Sequence, residues 1–224
     1  MAALSLVIGN KNYSSWSLRA WLYLSVNDIP FDEIKLPLDT TEFQNEIGQY
    51  SPTRCVPVLL DDDITVWDSL AIIQYVERNF PTSVSWPKTK ALEALALSSV
   101  MEMHGGFMAL RSHYPMNCRL DSFKAPLIGN VERDIARLDQ LWIDLMDASD
   151  MKGPGLLGQL SIVDIYFAPV VFRCNTYQLP LSKPCLEYVE RMLELPAMKA
   201  WAKAGGEEQE IVEADEFFLM HKDL

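Results

Sequence analysis

The segment Leu4-Ser5-Leu6-Val7-Ile8-Gly9-Asn10-Lys11-Asn12-Tyr13-Ser14-Ser15-Trp16-Ser17-Leu18-Arg19 joins a short apolar run to a cluster of hydroxyl residues at the start of a helical pattern. Leu4 to Ile8 stop at Gly9-Asn10, as a buried strand closed by turn residues does. Leu18, Trp21, Leu22 and Ser25 recur at i, i+3, i+4 and i+7 and predict a helix, ended by Asn27-Asp28 and Pro30. Phe31 to Leu36 then alternates like a second strand. A strand, a helix and a strand in so short a span favour a right-handed crossover between parallel strands. That connection leaves the helix's amino end at the carboxyl edge of the sheet, where ligands bind in such folds. Ser14 and Ser15 sit at that edge.

Downstream, Thr40 to Tyr50 reads as irregular. Pro57-Val58-Leu59-Leu60 and Ile64-Thr65-Val66-Trp67 flank Asp61-Asp62-Asp63 and predict a hairpin. Leu70 to Phe80 reads as helix. Phe80-Pro81-Thr82-Ser83-Val84-Ser85-Trp86-Pro87 has two prolines, small polar residues and no periodicity, which marks a linker over 81–87. Residues 1–80 therefore read as an α/β domain and 88–224 as an all-helical one. In the second, Val131, Ile135, Leu138, Trp142 and Leu145 make one apolar face and Leu186, Val189 and Leu193 another. Ser161-Ile162-Val163-Asp164 has the form of a capping box, with Leu160 and Ile165 as a hydrophobic staple, and Pro169 is expected to bend the helix that follows. The acidic stretch from Glu207 carries Phe217-Phe218-Leu219-Met220, which either docks on the body or frays.

Bulk properties exclude several classes. The chain has 224 residues, 49% apolar and 22% charged, values ordinary for soluble proteins. No apolar run approaches the length of a membrane span, and Met1 to Leu6 has no basic region ahead of its apolar stretch, so a cytoplasmic location is expected. The net charge of −12, without any Lys/Arg cluster, argues against nucleic acid as a partner. Cys55, Cys118, Cys174 and Cys185 form no C-x-x-C and read as reduced, mostly buried thiols; neither they nor His104, His113 and His221 have metal-ligand spacing, so no metal is expected.

The α/β segment, the Val56-Pro57 turn before a hairpin, Asp68-Ser69 at a helix start and a helical second half together resemble the cytosolic glutathione S-transferases over nearly the whole chain. Ser14-Ser15-Trp16-Ser17-Leu18-Arg19 is similar to the S-S-x-S-x-R segment of the serine-type, zeta-like members, and Gly9 to Leu22 is closer still to a bacterial subgroup of them. Trp16 stands where the zeta class has its cysteine. The resemblance implies a thioredoxin-like amino-terminal domain with an all-α bundle behind it, glutathione as cosubstrate, a small electrophilic second substrate, and a homodimer. It also implies transferase chemistry with isomerase or peroxidase side activity.

The chemistry is also readable from the residues. A free thiol with a pKa of about 8.5 is only roughly 3% ionised at neutral pH, and lowering that pKa to about 6.5 takes ~2.7 kcal/mol of preferential thiolate stabilisation. A helix amino end supplies about 0.3–2 kcal/mol and a hydrogen bond to a charged acceptor about 1.5–3. Ser14 plus the first-turn amides therefore suffice, with serine as donor and not as nucleophile, since no histidine is placed to activate it. Ser15 is the second choice and Ser17 the third; simple helix capping is the alternative for all three.

By the resemblance, Val56 and Pro57 form a cis-proline loop whose Val56 N–H and C=O pair with the tripeptide backbone as an added strand would; an ordinary trans turn is the alternative. Asp68 and Ser69, good caps for the helix from Leu70, would meet the γ-glutamyl ammonium and carboxylate respectively. Arg54 would hold the glycyl carboxylate or stand as a solvated surface cation. Met103, His104, Phe107 and Arg111, at near-helical spacing, would line the second-substrate pocket with Arg173, unless this stripe is core. Two other functions stay open: a non-catalytic binding module on the same fold, and a cysteine-type thiol transferase working through a mixed disulfide, which would need a thiol near Ser14.

Overall fold

The computed structural model describes residues 4–120, 122–124 and 126–216. The expected docking or fraying of Phe217 to Met220 lies outside these residues. Strand β1 (Leu4–Ile8), helix α1 (Ser15–Val26) and strand β2 (Phe31–Lys35) form the anticipated crossover, with β1 and β2 parallel and Leu4 in register with Phe31. Strands β3 (Val58–Asp61) and β4 (Ile64–Val66) make the hairpin, and β3 lies antiparallel to β1 with Val7 opposite Val58. The sheet order is β2-β1-β3-β4. Helix α3 (Ser69–Asn79) completes a thioredoxin-like arrangement.

Strand alternation gives this sheet two buried faces. Leu4, Leu6, Ile8 and Leu59 point into the main core with α1 and α3, while Val7 and Val58 point to the other side and pack with Leu36, Phe43 and Ile47. Phe43 and Ile47 belong to a helix, α2 (Thr41–Tyr50), so the segment read as irregular is helical. Its pattern is weak because one i, i+4 pair is all that is buried; the need to cover the second sheet face, and the Thr40 hydroxyl accepting Phe43 N–H at 3.1 Å, make it a helix.

Beyond residue 87 the structure is helical: α4 (Lys90–Gly105), α5 (Met108–His113), α6 (Val131–Asp147), α7 (Ile162–Thr176), α8 (Lys183–Leu193) and α9 (Pro196–Glu207), followed by a short 3-10 turn, Glu213–Asp215. Helix α7 is buried along almost its whole length and packs against α1, α4 and α8. It runs through Pro169 as one helix. The Tyr166 carbonyl, three residues before that proline, accepts Arg19 Nε at 2.9 Å, which ties α7 to α1. Helix α1 is accordingly buried on nearly every side, more than its single predicted stripe requires. The cysteines are all free, but only Cys174 and Cys185 are buried; Cys118 is half-buried and Cys55 exposed. The correction for Cys55 is local, since it sits in the open loop leading to β3.

The capping box at the start of α7 is present in full. Asp164 is completely buried and accepts from Leu156 N–H at 2.8 Å, Ser161 N–H at 2.8 Å, the Ser161 hydroxyl at 3.0 Å and the Tyr188 hydroxyl at 3.1 Å. Burial pushes its pKa up against those four donors. Removing the carboxylate strands the donors in the core, so Asp164→Ala is expected to cost about 2–4 kcal/mol in urea unfolding, with Ser161→Ala costing about 1–2.

Candidate functional site

The loop from Gly9 to Tyr13 delivers Ser14 to the start of α1, and other parts of the chain fix it from three directions. Asn10 Oδ1 accepts Leu38 N–H at 2.8 Å, Asn12 Oδ1 accepts Arg119 N–H at 2.8 Å, and the Asn12 carbonyl accepts Cys118 N–H at 3.2 Å. The Glu208 carboxylate takes Lys11 N–H at 2.9 Å and Asn12 N–H at 3.0 Å. Helix α9 comes so close that a Cβ on Gly205 would lie 3.0 Å from Asn12 N, which is why a glycine stands there. The Tyr13 hydroxyl donates to Glu216 at 2.6 Å, and Arg119 reaches Tyr13, Glu216 and the carbonyls of Glu208 and Glu210. The segment after α9 thus straps the loop that carries the serine.

Ser14 is the N-cap residue of α1, yet its side chain makes no capping bond. Its hydroxyl donates instead to Ser17 Oγ at 2.7 Å. Ser15 N–H is spent on the Tyr13 carbonyl, whereas Trp16 and Ser17 N–H have no acceptor among the described residues. The capping alternative for Ser14 is therefore not what its side chain does. Two first-turn amides are left unpaired at a positive helix end, and of these residues Trp16 lines the cavity described next while Ser17 is buried.

A cavity of about 480 Å³ opens at this point. Ser14, Ser15, Arg54, Val56, Arg111 and Arg173 all line it, so six expected site residues from four separate segments meet in one space. The Val56-Pro57 bond is cis, and the Val56 backbone makes no hydrogen bond among the described residues. Pro57 itself is buried behind Val56. Arg54 is exposed and donates to the Gln44 carbonyl on α2. Cys55 also faces the cavity.

Other expected residues stand apart from this lining. Met103 is fully buried in the core and Phe107 nearly so, because the inward face of α4 and the tight turn after it pack on the bundle. His104 lies in a second cluster: its Nδ1 is 2.5 Å from the Tyr166 hydroxyl and its Nε2 is 3.3 Å from Asp68 Oδ2. Asp68 caps α3 with Oδ1, from Leu70 N–H at 3.1 Å, and its side chain is half exposed. Ser69 exposes no surface, and its hydroxyl lies 3.4 Å from Tyr166. The α4 residue stripe is thus mainly core, and the cavity wall on that side comes from Met108, Arg111 and Ser112 of α5.

The arginines give the cavity its charge. Arg173 is buried, with Nε donating to the Tyr114 carbonyl at 2.8 Å and Nη1 to Pro169 at 3.2 Å. Arg111 donates to the His104 and Gly106 carbonyls at 3.2 and 3.3 Å. Arg19 stacks on the rings of Trp16 and Tyr166 at 4.3 and 4.6 Å, and Arg111 lies 4.9 Å from Trp16. Among the described residues none of the three has a carboxylate within ion-pair distance. Burial pulls Arg173 down to about 10 and Arg19 to about 9, which leaves both charged at neutral pH. Sequence reasoning missed Trp16 as a wall of the site, although it lies between Ser15 and Ser17. It also missed Asp215, delivered by the 3-10 turn, for which no local pattern gave notice.

The family model for the glutathione S-transferase N-terminal domain matches residues 13–79. The chain is 24% identical over 222 residues to a probable maleylacetoacetate isomerase of Vibrio cholerae, covering 92% of this chain and 98% of that protein. It is 41% identical over 61 residues to a dichloromethane dehalogenase of Methylorubrum extorquens, but this covers only 26% of this chain and 21% of that one. Among solved structures, a glutathione transferase homolog from Burkholderia with bound glutathione superposes with a TM-score of 0.70 at 23% identity, over 92% of this chain and all of that one.

Asp215 makes the cavity sensitive to pH. Burial raises its pKa to about 6, with Asp39 and Glu216 adding to the rise and Arg173 opposing it. Below that value the group is neutral and the arginines act alone; above it a negative charge enters the cavity. Affinity for an alkyl sulfonate, which stays ionised throughout, is expected to fall several-fold between about pH 5 and about pH 7.5, and to lose that step in Asp215→Asn. Calorimetric titration at the two pH values checks this.

Proposed function

We propose that the chain is a serine-type, zeta-like member of the cytosolic glutathione S-transferase superfamily and that it holds the thiolate of glutathione at Ser14 for attack on a small electrophile. The observation that carries this is the Ser14 hydroxyl, uncommitted to capping, beside the unpaired amide of Trp16, a residue of the cavity wall. Glutathione would lie with its backbone along Val56, its ammonium at Asp68 and its glycyl end near Arg54. Residues 1–80 serve as the glutathione-binding part, 81–87 as linker and 88–224 as the side that takes the acceptor. Ser69 then acts as a support beneath Asp68, in keeping with its burial.

The thiol proton leaves to solvent, and the sulfur stays ionised because donation from Ser14 and the helix end favours the anion. In conjugation the sulfur electron pair forms a C–S bond and the leaving group departs with its own pair. In isomerisation the thiolate adds to an activated double bond, the adduct rotates about what is now a single bond, and the thiolate is expelled. The same superfamily name covers both, and the isomerase name of the Vibrio relative favours the second as at least a side activity. Arg111 and Arg173, held by backbone carbonyls and facing the cavity, favour an acceptor that carries an anionic group. The protein would work in the cytoplasm, away from membranes and nucleic acid.

Ser14→Ala is expected to raise the pKa of the bound glutathione thiol by about 1–2 units and to lower kcat/KM at neutral pH about ten- to a hundredfold. Ser15→Ala should change both much less. Thiolate absorbance titration of the saturated complex measures the first effect, and an equal response of the two variants would reassign the donor.

We also propose a homodimer. Ile64 and Trp67 at the β4 edge and Leu97 and Met101 on α4 are large apolar side chains left 42–49% exposed, more than a monomer needs to leave open there. Light scattering is expected to give the mass of two chains for the wild type and one for the Trp67→Glu, Met101→Glu double variant.

A further inference from the structure

Ser17 lies behind Ser14, exposes no surface and lines no part of the cavity. Its Oγ accepts two hydrogen bonds, from Gly9 N–H at 3.1 Å and from the Ser14 hydroxyl at 2.7 Å. A hydroxyl has two lone pairs and one proton, so Ser17 has both acceptor sites filled. Among the described residues, its own proton has no other acceptor within reach. A buried hydroxyl proton left without an acceptor is unfavourable, and the pair as a whole makes one hydrogen bond fewer than its two protons allow.

Reversing this bond removes that deficit; the resting geometry places Ser14 as the donor, so the reversal combines rotation of the two hydroxyls with a small turn of the Ser17 side chain. Ser17 then donates to Ser14 across the same 2.7 Å contact, Gly9 N–H keeps its acceptor, and the Ser14 proton turns outward to the cavity. An anionic sulfur there accepts it, so every proton in the chain Gly9 N–H, Ser17 O–H, Ser14 O–H is spent. Bonds aligned in this way polarise one another, and the terminal donor becomes a better partner for an anion.

We propose that Ser17 is the positioning residue of the site: it accepts a hydrogen bond from the Ser14 hydroxyl before sulfur arrives and donates one to Ser14 Oγ when the thiolate draws the Ser14 hydroxyl outward. No covalent bond forms or breaks in this exchange, and the thiol proton still leaves to solvent. The inference rests on the reading of Ser14 as thiolate donor. It explains why the segment carries a serine at 17 when the helix start already has serines at 14 and 15.

The test is a cycle of four proteins, wild type, Ser17→Ala, Ser14→Ala and the double variant, each saturated with glutathione and titrated by thiolate absorbance. Ser17→Ala is expected to raise the bound thiol pKa by about half a unit to one unit with little change in the Kd for glutathione measured well below that pKa, where the bound thiol is protonated, and to add nothing in the Ser14→Ala background. An equal shift in both backgrounds would mean that Ser17 only braces the loop through Gly9, and the proposal falls. It falls too if Ser17→Ala gives no shift while Ser14→Ala does, which leaves the Ser14 reading intact; no shift from Ser14→Ala removes both. Ser17→Thr, which keeps the hydroxyl, is expected to hold the wild-type value, and Ser17→Val, its isostere without one, repeats the comparison if the alanine variant does not fold.

Discussion

A helix start that leaves its first amides unpaired is stable only if something else fixes the chain entering it, and here that constraint governs the architecture. Ser14 does not cap α1, so the loop before it is held by Asn10 and Asn12, by the Glu208 carboxylate on two consecutive amides, and by the Tyr13, Glu216 and Arg119 cluster. The segment that follows α9, far away in sequence, therefore belongs to the structural support of the serine. The close approach at Gly205 serves the same end. Site and scaffold are coupled because the polar groups that a cap would have satisfied are left unpaired among the described residues, and the loop is held by contacts from elsewhere instead.

Charge follows the same division of labour. The chain as a whole carries −12, yet the cavity is walled by Arg111 and Arg173 with Arg19 stacked just behind Trp16. Their guanidinium groups are satisfied by backbone carbonyls and aromatic faces, which hold them in place without cancelling their charge. A local positive field inside an acidic protein draws small anions to one place while the outer surface repels polyanions. Asp215 is the one carboxyl among the described residues of the lining, and its position beside Arg173 lets protonation tune that field.

Much of this was legible because the informative residues obey local rules. The β1-α1-β2 unit followed from a turn after Ile8, a period of 3.6 through Leu22 and alternation from Phe31; the capping box at Ser161 followed from spacing alone. Helix α2 did not, because two anchors in ten residues leave no readable stripe, and only the sheet face they cover explains them. At the cavity, Ser14, Val56 and Arg111 stand together, residues singled out because their types suit the chemistry of an anion and a peptide. Met103 and Phe107 were misplaced towards the pocket because helical spacing cannot say which face of α4 meets the core. Asp215 was invisible for a different reason: its place depends on tertiary contacts of the strap, not on its neighbours in sequence.

The central claim is that ionised sulfur of glutathione rests against the amino end of α1. A crystal structure of the protein soaked with glutathione measures this directly. The account predicts the sulfur within hydrogen-bond reach of Ser14 Oγ, with the cysteinyl backbone paired to Val56. Sulfur directed instead at Cys55, or a tripeptide bound away from Ser14, would contradict it.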